Sequence, residues 1–224
     1  MSWFQIMSVS PYPEDLPILE GGGGLRLRPL TDDAAGEVLE LFGDPGVVRF
    51  MSIQRLASEA EAREFIAGIQ GGFLSGTLYQ WGIELDGEFV GTCTLAGIDR
   101  QHRRAELGFA VLRRRWGRRV ASRALPPVID FAFGRLGLHR LEADADPRNE
   151  ASLRVLERLG FRREGLLREH YFQEGEAQDA VVFGLLRRDW LTWKALASAD
   201  AGRLIEHERV EEWLDSLESP TREP

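Results

Sequence analysis

Apolar and polar positions alternate along Leu25-Arg26-Leu27-Arg28-Pro29-Leu30, the period of a strand with one buried face. Thr31 and Asp32 are suited to cap a helix running to about Phe42, and Asp44-Pro45-Gly46 reads as a turn. From Ser58 the spacing of Ala62, Phe65, Ile66 and Ile69 predicts a second helix, stopped at Gly71-Gly72. Tyr79 to Leu85 and Phe89 to Leu95 read as strands joined by an Asp86-Gly87 hairpin turn. A third strand follows at 104–112, then a helix from near Gly117 to Leu136 with Gly137 as its stop. Leu141 to Ala145 is strand-like, and Asp146-Pro147-Arg148-Asn149 turns the chain into a helix over 150–159 that Gly160 ends. Two last strands, 161–172 and 178–187, flank Glu174-Gly175-Glu176. This order predicts a single α/β domain, a mixed sheet covered by helices.

The flanks differ from that body. Residues 1–20 are Pro-rich without clear periodicity, and Gly21-Gly22-Gly23-Gly24 reads as a flexible joint, so 1–24 form an N-terminal extension and linker. No Gly-Lys-Ser/Thr follows these glycines, so they are not a phosphate loop. Residues 191–224 read as a helical extension, with Trp193 and Trp213 as candidate interface residues for a homodimer and a loose end after Ser219.

The chain of 224 residues carries a formal charge of -8 and one cysteine, Cys93. One cysteine excludes an intramolecular disulfide and a Cys-rich zinc site. The four histidines show no His-x-x-x-His spacing, so no metal is expected. No apolar run reaches spanning length and no signal-peptide pattern opens the chain, which predicts a cytoplasmic protein away from membranes. All basic residues but Lys194 are arginines. Nine of them, against the single acid Glu106, lie between Arg100 and Arg123, giving +8 there and -16 over the remainder. A solvated helix face is the ordinary explanation. An anion site is the other, because guanidinium forks phosphate with two parallel hydrogen bonds.

The position of the cluster favours the anion. A strand, an Arg-rich turn containing Gly117 and a helix follow one another directly, and a helix N-terminus offers unpaired N–H groups and positive dipole. The run Arg114-Arg115-Trp116-Gly117-Arg118-Arg119-Val120-Ala121 resembles the coenzyme-A signature of the GNAT acetyltransferases, Q/R-x-x-G-x-G/A. Ala105-Glu106-Leu107-Gly108-Phe109 resembles the family's preceding strand, and Leu25 to Leu30 its opening strand. Leu138 to Ala143, Asp146 to Ser152 and Val155 to Phe161 resemble the strand and helix that follow. The likeness covers about residues 25–190 and is greatest to the RimJ/RimL branch, which acetylates protein N-termini. One departure stands at Arg119, where the family has Gly or Ala.

The resemblance implies a mostly antiparallel central sheet flanked by helices and direct acetyl transfer from acetyl-CoA to a primary amine. The acceptor would be a protein N-terminus or a small molecule such as a polyamine, amino acid or aminoglycoside. Phe109, Ala110, Val111 and Leu112 would pair with the pantetheine arm as a strand edge pairs with a peptide. Arg113, Arg114, Arg115, Trp116, Gly117, Arg118, Arg119, Val120 and Ala121 would hold the pyrophosphate, and Asn149 and Ser152 would meet the cofactor arm. Glu106 would act as base, with Ser152 or Tyr171 as acid. Each has a structural alternative: a surface ion pair for Glu106, a helix cap for Asn149 and Ser152, strand packing for Tyr171. Two other readings stand beside the enzyme: an acyl-CoA-binding module without turnover, and an RNA-associated protein using the basic stretch. The second ranks last, because only Phe109 and Trp116 interleave aromatics with the arginines.

Overall fold

The computed structural model describes residues 15–173 and 175–200. The expectations for residues 1–14, Trp213 and the last residues lie outside them.

Eight strands form one sheet in the order β1-β2-β3-β4-β5-β6-β8-β7. β1 (Leu19–Gly22), β2 (Leu25–Pro29), β3 (Tyr79–Leu85), β4 (Glu88–Asp99) and β5 (Arg104–Val111) run antiparallel in sequence. β6 (Arg140–Ala145) joins β5 in parallel, and β8 (Glu176–Leu186) lies between β6 and the edge strand β7 (Arg162–Gln173). The β3–β4 turn holds Asp86 and Gly87 at positive φ, the geometry that a two-residue turn requires to match strand twist.

Helices cover both faces. On one, α1 (Ala35–Phe42) and α3 (Glu59–Ser75) bury Val38, Leu41, Phe42, Ala62, Ile66 and Ile69 against Leu30, Phe89, Ala110 and Leu112. The Ser58 side chain accepts the Glu61 N–H, the cap that its position implied. On the other, α4 (Val120–Asp130) sets Ala124, Leu125, Val128 and Ile129 inward, and Phe131 meets the Tyr79 and Trp81 rings edge-on. α5 (Glu150–Arg158) follows β6, and α6 (Arg187–Asp200) carries a stacked Trp190–Trp193 pair with ring centroids 4.7 Å apart. The described residues from Arg188 to Asp200 belong to a unit separate from the one that holds the sheet.

Several expectations change. α3 passes through Gly71-Gly72 to Ser75 and ends at Gly76 in the left-handed region, and α1 begins at Ala35, after a 3-10 turn, with no side-chain cap from Thr31 or Asp32. The four glycines are not a flexible joint: Gly21 and Gly22 end β1, and Gly22–Gly24 adopt positive φ to turn the chain into β2. Arg123 fastens this turn by donating to the Gly22 and Gly23 carbonyls at 3.1 and 2.7 Å. Asp44-Pro45-Gly46 is more than a turn, because Asp44 caps a short helix, α2 (Pro45–Val48), through the Gly46 N–H. The helix expected over 117–136 begins at Val120. It becomes a π turn at Phe131–Arg135 after Pro126 and Pro127 withdraw two N–H donors from it.

Candidate active site

The sheet splits where chemistry was expected. β5 pairs with β6 only over Arg104–Glu106 against Arg140–Glu142, although β5 continues to Val111 and β6 to Ala145. Beyond Glu106 the two strands part. β5 keeps β4 on its other side through Val111, and β6 keeps β8. One edge of Leu107–Val111 is therefore left without a strand, and strand N–H and C=O groups need partners.

A cleft of about 370 Å³ opens beside that edge. Phe109, Ala110 and Val111 line it from β5, Gly117 and Arg119–Ser122 from the loop and first turn of α4, and Asn149, Ser152 and Val155 from α5. The loop explains the anion reading in backbone terms. Arg115 and Trp116 N–H groups close a tight turn onto Leu112 and Arg113 carbonyls. The first bond of α4 is Arg123 N–H to the Arg119 carbonyl, and no side chain caps the helix. Among the described residues, the N–H groups from Gly117 to Ser122 thus have no acceptor, and all of these residues but Arg118 line one cleft. Gly117 at φ +72° and Arg119 at φ +57° both sit in the left-handed region, which curls the amides inward. For Arg119 this conformation costs about 1–2 kcal/mol, which accounts for the small residue expected there.

Several arginines leave the cradle. Arg114 is bonded to Glu40 and to Glu88 at 2.9 Å, Arg115 also reaches Glu88, and Arg113 lies 3.8 Å from Asp44. The pair of guanidiniums holds the Glu88 carboxyl below the usual range. Arg113 and Arg114 do not line the cleft, and neither does Arg118. Leu112 drops out too: its side chain is in the core, and its N–H donates to the Val90 carbonyl at 2.9 Å. Arg115 lines the cleft, and Trp116 closes the strand edge by donating its indole N–H to the Val111 carbonyl at 2.7 Å. Arg119 lines the cleft and has no ion-pair partner among the described residues. Sequence reasoning missed Phe50 and Arg154. The latter was detectable, because Ala151, Arg154, Val155 and Arg158 recur at helical spacing on the cleft side of α5.

The Asn149 side chain caps α5 by accepting the Ser152 N–H at 3.2 Å, and both residues line the cleft, so cap and cleft wall coincide. Upstream, buried Asp146 accepts two bonds from the Arg148 guanidinium and one from its N–H. Burial opposes its charge, but Arg148 prevails and keeps the carboxyl below the ordinary range.

Glu106 and Tyr171 come together elsewhere, on the sheet face toward which the strands part. Register places Glu106 beside Glu142, Asp144 beside Val182, and Tyr171 beside Gln178, all on one face. Asp144 lies near both Glu106 and Tyr171, and its carboxylate disfavours charge on each. Desolvation raises the Glu106 carboxyl, and the Asp144 and Glu142 carboxylates raise it further. Desolvation and the same Asp144 contact raise the Tyr171 phenol. Glu142 is neutralised by Arg104 and Arg140, each at 2.9 Å. A loop after α2 lies against this region: Gln178 donates to the Arg49 carbonyl at 3.3 Å and Gln173 to the Ile53 carbonyl at 3.1 Å. Asp144 was not foreseen. The alternation of β6, with Leu141, Ala143 and Ala145 inward, held its signal.

Among the described residues no group of His, Cys, Asp or Glu is placed to hold a metal. Cys93 is fully buried, and burial pushes its thiol far up, which removes it as a nucleophile.

A split parallel pair beside an uncapped helix start leaves a free strand edge and unpaired amides beside one cleft. Residues 24–162 match the acetyltransferase (GNAT) domain family, and the chain belongs to it. It is 35% identical over 169 residues to an uncharacterised N-acetyltransferase, p20, of Bacillus licheniformis, covering 74% of this chain and 94% of that one. It is 31% identical over 109 residues to the spermidine N(1)-acetyltransferase of Escherichia coli K12, covering 49% and 59%. Its structure is similar to that of Mycobacterium smegmatis RimJ in complex with CoA-disulfide, with a TM-score of 0.76, 26% identity and coverage of 84% of this chain and 96% of that one. The enzyme is an N-acetyltransferase that uses acetyl-CoA and acts on an amine.

Proposed function

We propose that the acceptor is the α-amino group of a protein N-terminus, deprotonated by Glu106. One observation carries the reading: among the described residues, Glu106 and Asp144 present carboxyl groups in no ion pair with a guanidinium, on the strands that part three residues before Phe109 enters the cleft. Such a pair attracts an ammonium ion, and a carboxyl raised by its surroundings is a better base than a free one. Acetyl-CoA supplies the activated thioester. On the protein side, Gly117–Ser122 amides and Arg119 would hold its diphosphate, and the open edge of Phe109–Val111 its arm. Ser152, at the start of α5 and in the cleft wall, is suited to donate a proton to a departing thiolate. Tyr171 belongs to the acceptor side, orienting Asp144 and the amine. The likeness to RimJ, with a TM-score of 0.76 against 0.68 for the spermidine N-acetyltransferase of Vibrio cholerae, supports a peptide acceptor, and both likenesses span nearly all of the other chain, so a polyamine is the alternative that the assay separates.

The test is thiol release from acetyl-CoA with short peptides of varied N-terminal residue, set against spermidine and spermine. Peptides should give a kcat/KM at least about tenfold above the polyamines. The reverse order would assign the carboxyl pair to a polyamine. Thermal stabilisation by coenzyme A without release of thiol from any amine would leave a binding module.

We also infer a cytoplasmic homodimer. No described helix is long and apolar enough to cross a membrane. The edge strand β7 exposes Leu166, Leu167 and Phe172, which suits association, and sedimentation at working concentration tests it.

A further inference from the structure

β7, Arg162–Gln173, uses three more residues than the stretch Glu176–Gly184 of β8 that pairs with it. One extra residue falls between Arg163 and Gly165, opposite the adjacent pair Phe183 and Val182. Two more fall between Leu167 and Tyr171: three residues there, Arg168, Glu169 and His170, stand against Asp179 alone. At the centre of this bulge Glu169 adopts φ +52°, a conformation that a residue with a Cβ seldom takes. The Asp179 carboxylate accepts the Glu169 N–H at 2.9 Å, so the partner strand's one opposed side chain fastens the bulge.

The consequence lies one pair further on. In an unbroken ladder from Leu167–Ala180, Glu169 would stand opposite Gln178. With two residues looped out, Tyr171 stands there instead, on the same face because the shift is even. A third carboxylate would otherwise face Asp144 and Glu106. The bulge replaces it with the long phenol of Tyr171, on the face that carries Asp144.

We infer that Asp179 is a positioning residue for the acceptor side of the site, acting through Tyr171 by holding Glu169 in its left-handed turn. The inference rests on the assignment of Tyr171 to acceptor handling.

The experiment is a set of variants in the full chain, assayed for amine and acetyl-CoA kinetics. Tyr171 ionisation is followed by phenolate absorbance, taken as the difference from Tyr171→Phe. Asp179→Ala should lower kcat/KM for the amine about tenfold with KM for acetyl-CoA unchanged, and the Tyr171 phenolate should form at lower pH. Asp179→Asn keeps an oxygen acceptor for the Glu169 N–H and should retain activity within about twofold. Asp179→Ala with Glu169→Gly should recover most of the loss, because glycine needs no anchor to hold positive φ. In a Tyr171→Phe background Asp179→Ala should cost nothing further. Full additivity with Tyr171→Phe, failure of glycine to rescue, or an Asn variant as poor as Ala would overturn the proposal. Tyr171→Phe with unaltered amine kinetics would overturn the role given to Tyr171. The absorbance titration of Asp179→Ala would then still report whether the bulge sets its place, so the two failures read differently.

Discussion

The two halves of the proposed site are built from different material. The cofactor half is backbone: a strand edge without a neighbour, six amides from Gly117 to Ser122, and two residues in the left-handed region that aim them. The acceptor half is side chains from three strands, Glu106 on β5, Asp144 on β6 and Tyr171 on β7, brought to one face by register. A backbone site demands particular residues at consecutive positions, so it leaves a local signature. A side-chain site demands only that distant strands align, so substitutions there retune the acceptor without disturbing the cofactor.

Glu106→Gln cuts deepest into the acceptor half. It removes the base and keeps the shape, and kcat/KM for the amine should fall about 100- to 1000-fold with KM for acetyl-CoA unchanged. The wild-type enzyme should lose activity, as pH falls, above the range of an ordinary glutamate, because the raised carboxyl takes up its proton early. Asp144→Asn should move that acid limb down, and a limb that stays put would remove Asp144 from the environment of the base. Stability carries the opposite sign. The folded state binds the Glu106 proton more tightly than the unfolded chain, so stability falls as pH rises from the unfolded pKa through the folded one. Glu106→Gln should therefore raise Tm at neutral pH, measured by calorimetry, while activity falls. An unchanged Tm would mean that the acceptor face is not strained by its own charges.

Gly117→Glu strikes the other half. No neighbour blocks a Cβ, so the cost is the strained φ and a carboxylate among amides meant for a diphosphate. KM for acetyl-CoA should rise roughly 100-fold, read by calorimetric titration as well as kinetics. Equal loss in amine binding at saturating acetyl-CoA would show that the halves are not separable.

Legibility followed the same division. Strands with strict alternation were readable, as in Leu25–Leu30 and Tyr79–Leu95, because each residue's face is fixed by its neighbour. β1 was not, since Leu-Glu-Gly-Gly carries no alternation and forms only by pairing with β2. Gly117 and the α4 start were readable as local chemistry. The arginines around them misled by charge alone: Arg113 and Arg114 are answered by Asp44, Glu40 and Glu88 from α1, the following loop and β4, contacts of long sequence separation. Glu106 and Tyr171 were each visible as residues, but Asp144, on the same face between them, required the register of β6 against β8.

The smallest effects test whether the arginines differ as their contacts say. Arg119 faces the cleft without an ion-pair partner among the described residues, whereas Arg114 is held by Glu40 and Glu88. Arg119→Gly relieves the left-handed strain and should stabilise the protein by about 1 kcal/mol while raising KM for acetyl-CoA several-fold, since a charge facing the cradle is lost. Arg114→Ala should leave KM for acetyl-CoA within about twofold, because exposed ion pairs of this kind contribute little and the guanidinium does not enter the cleft. If Arg114→Ala weakens acetyl-CoA as much as Arg119→Gly does, the basic stretch acts as a collective field rather than through the one arginine that faces the amides, and the backbone account of the cofactor half is too narrow.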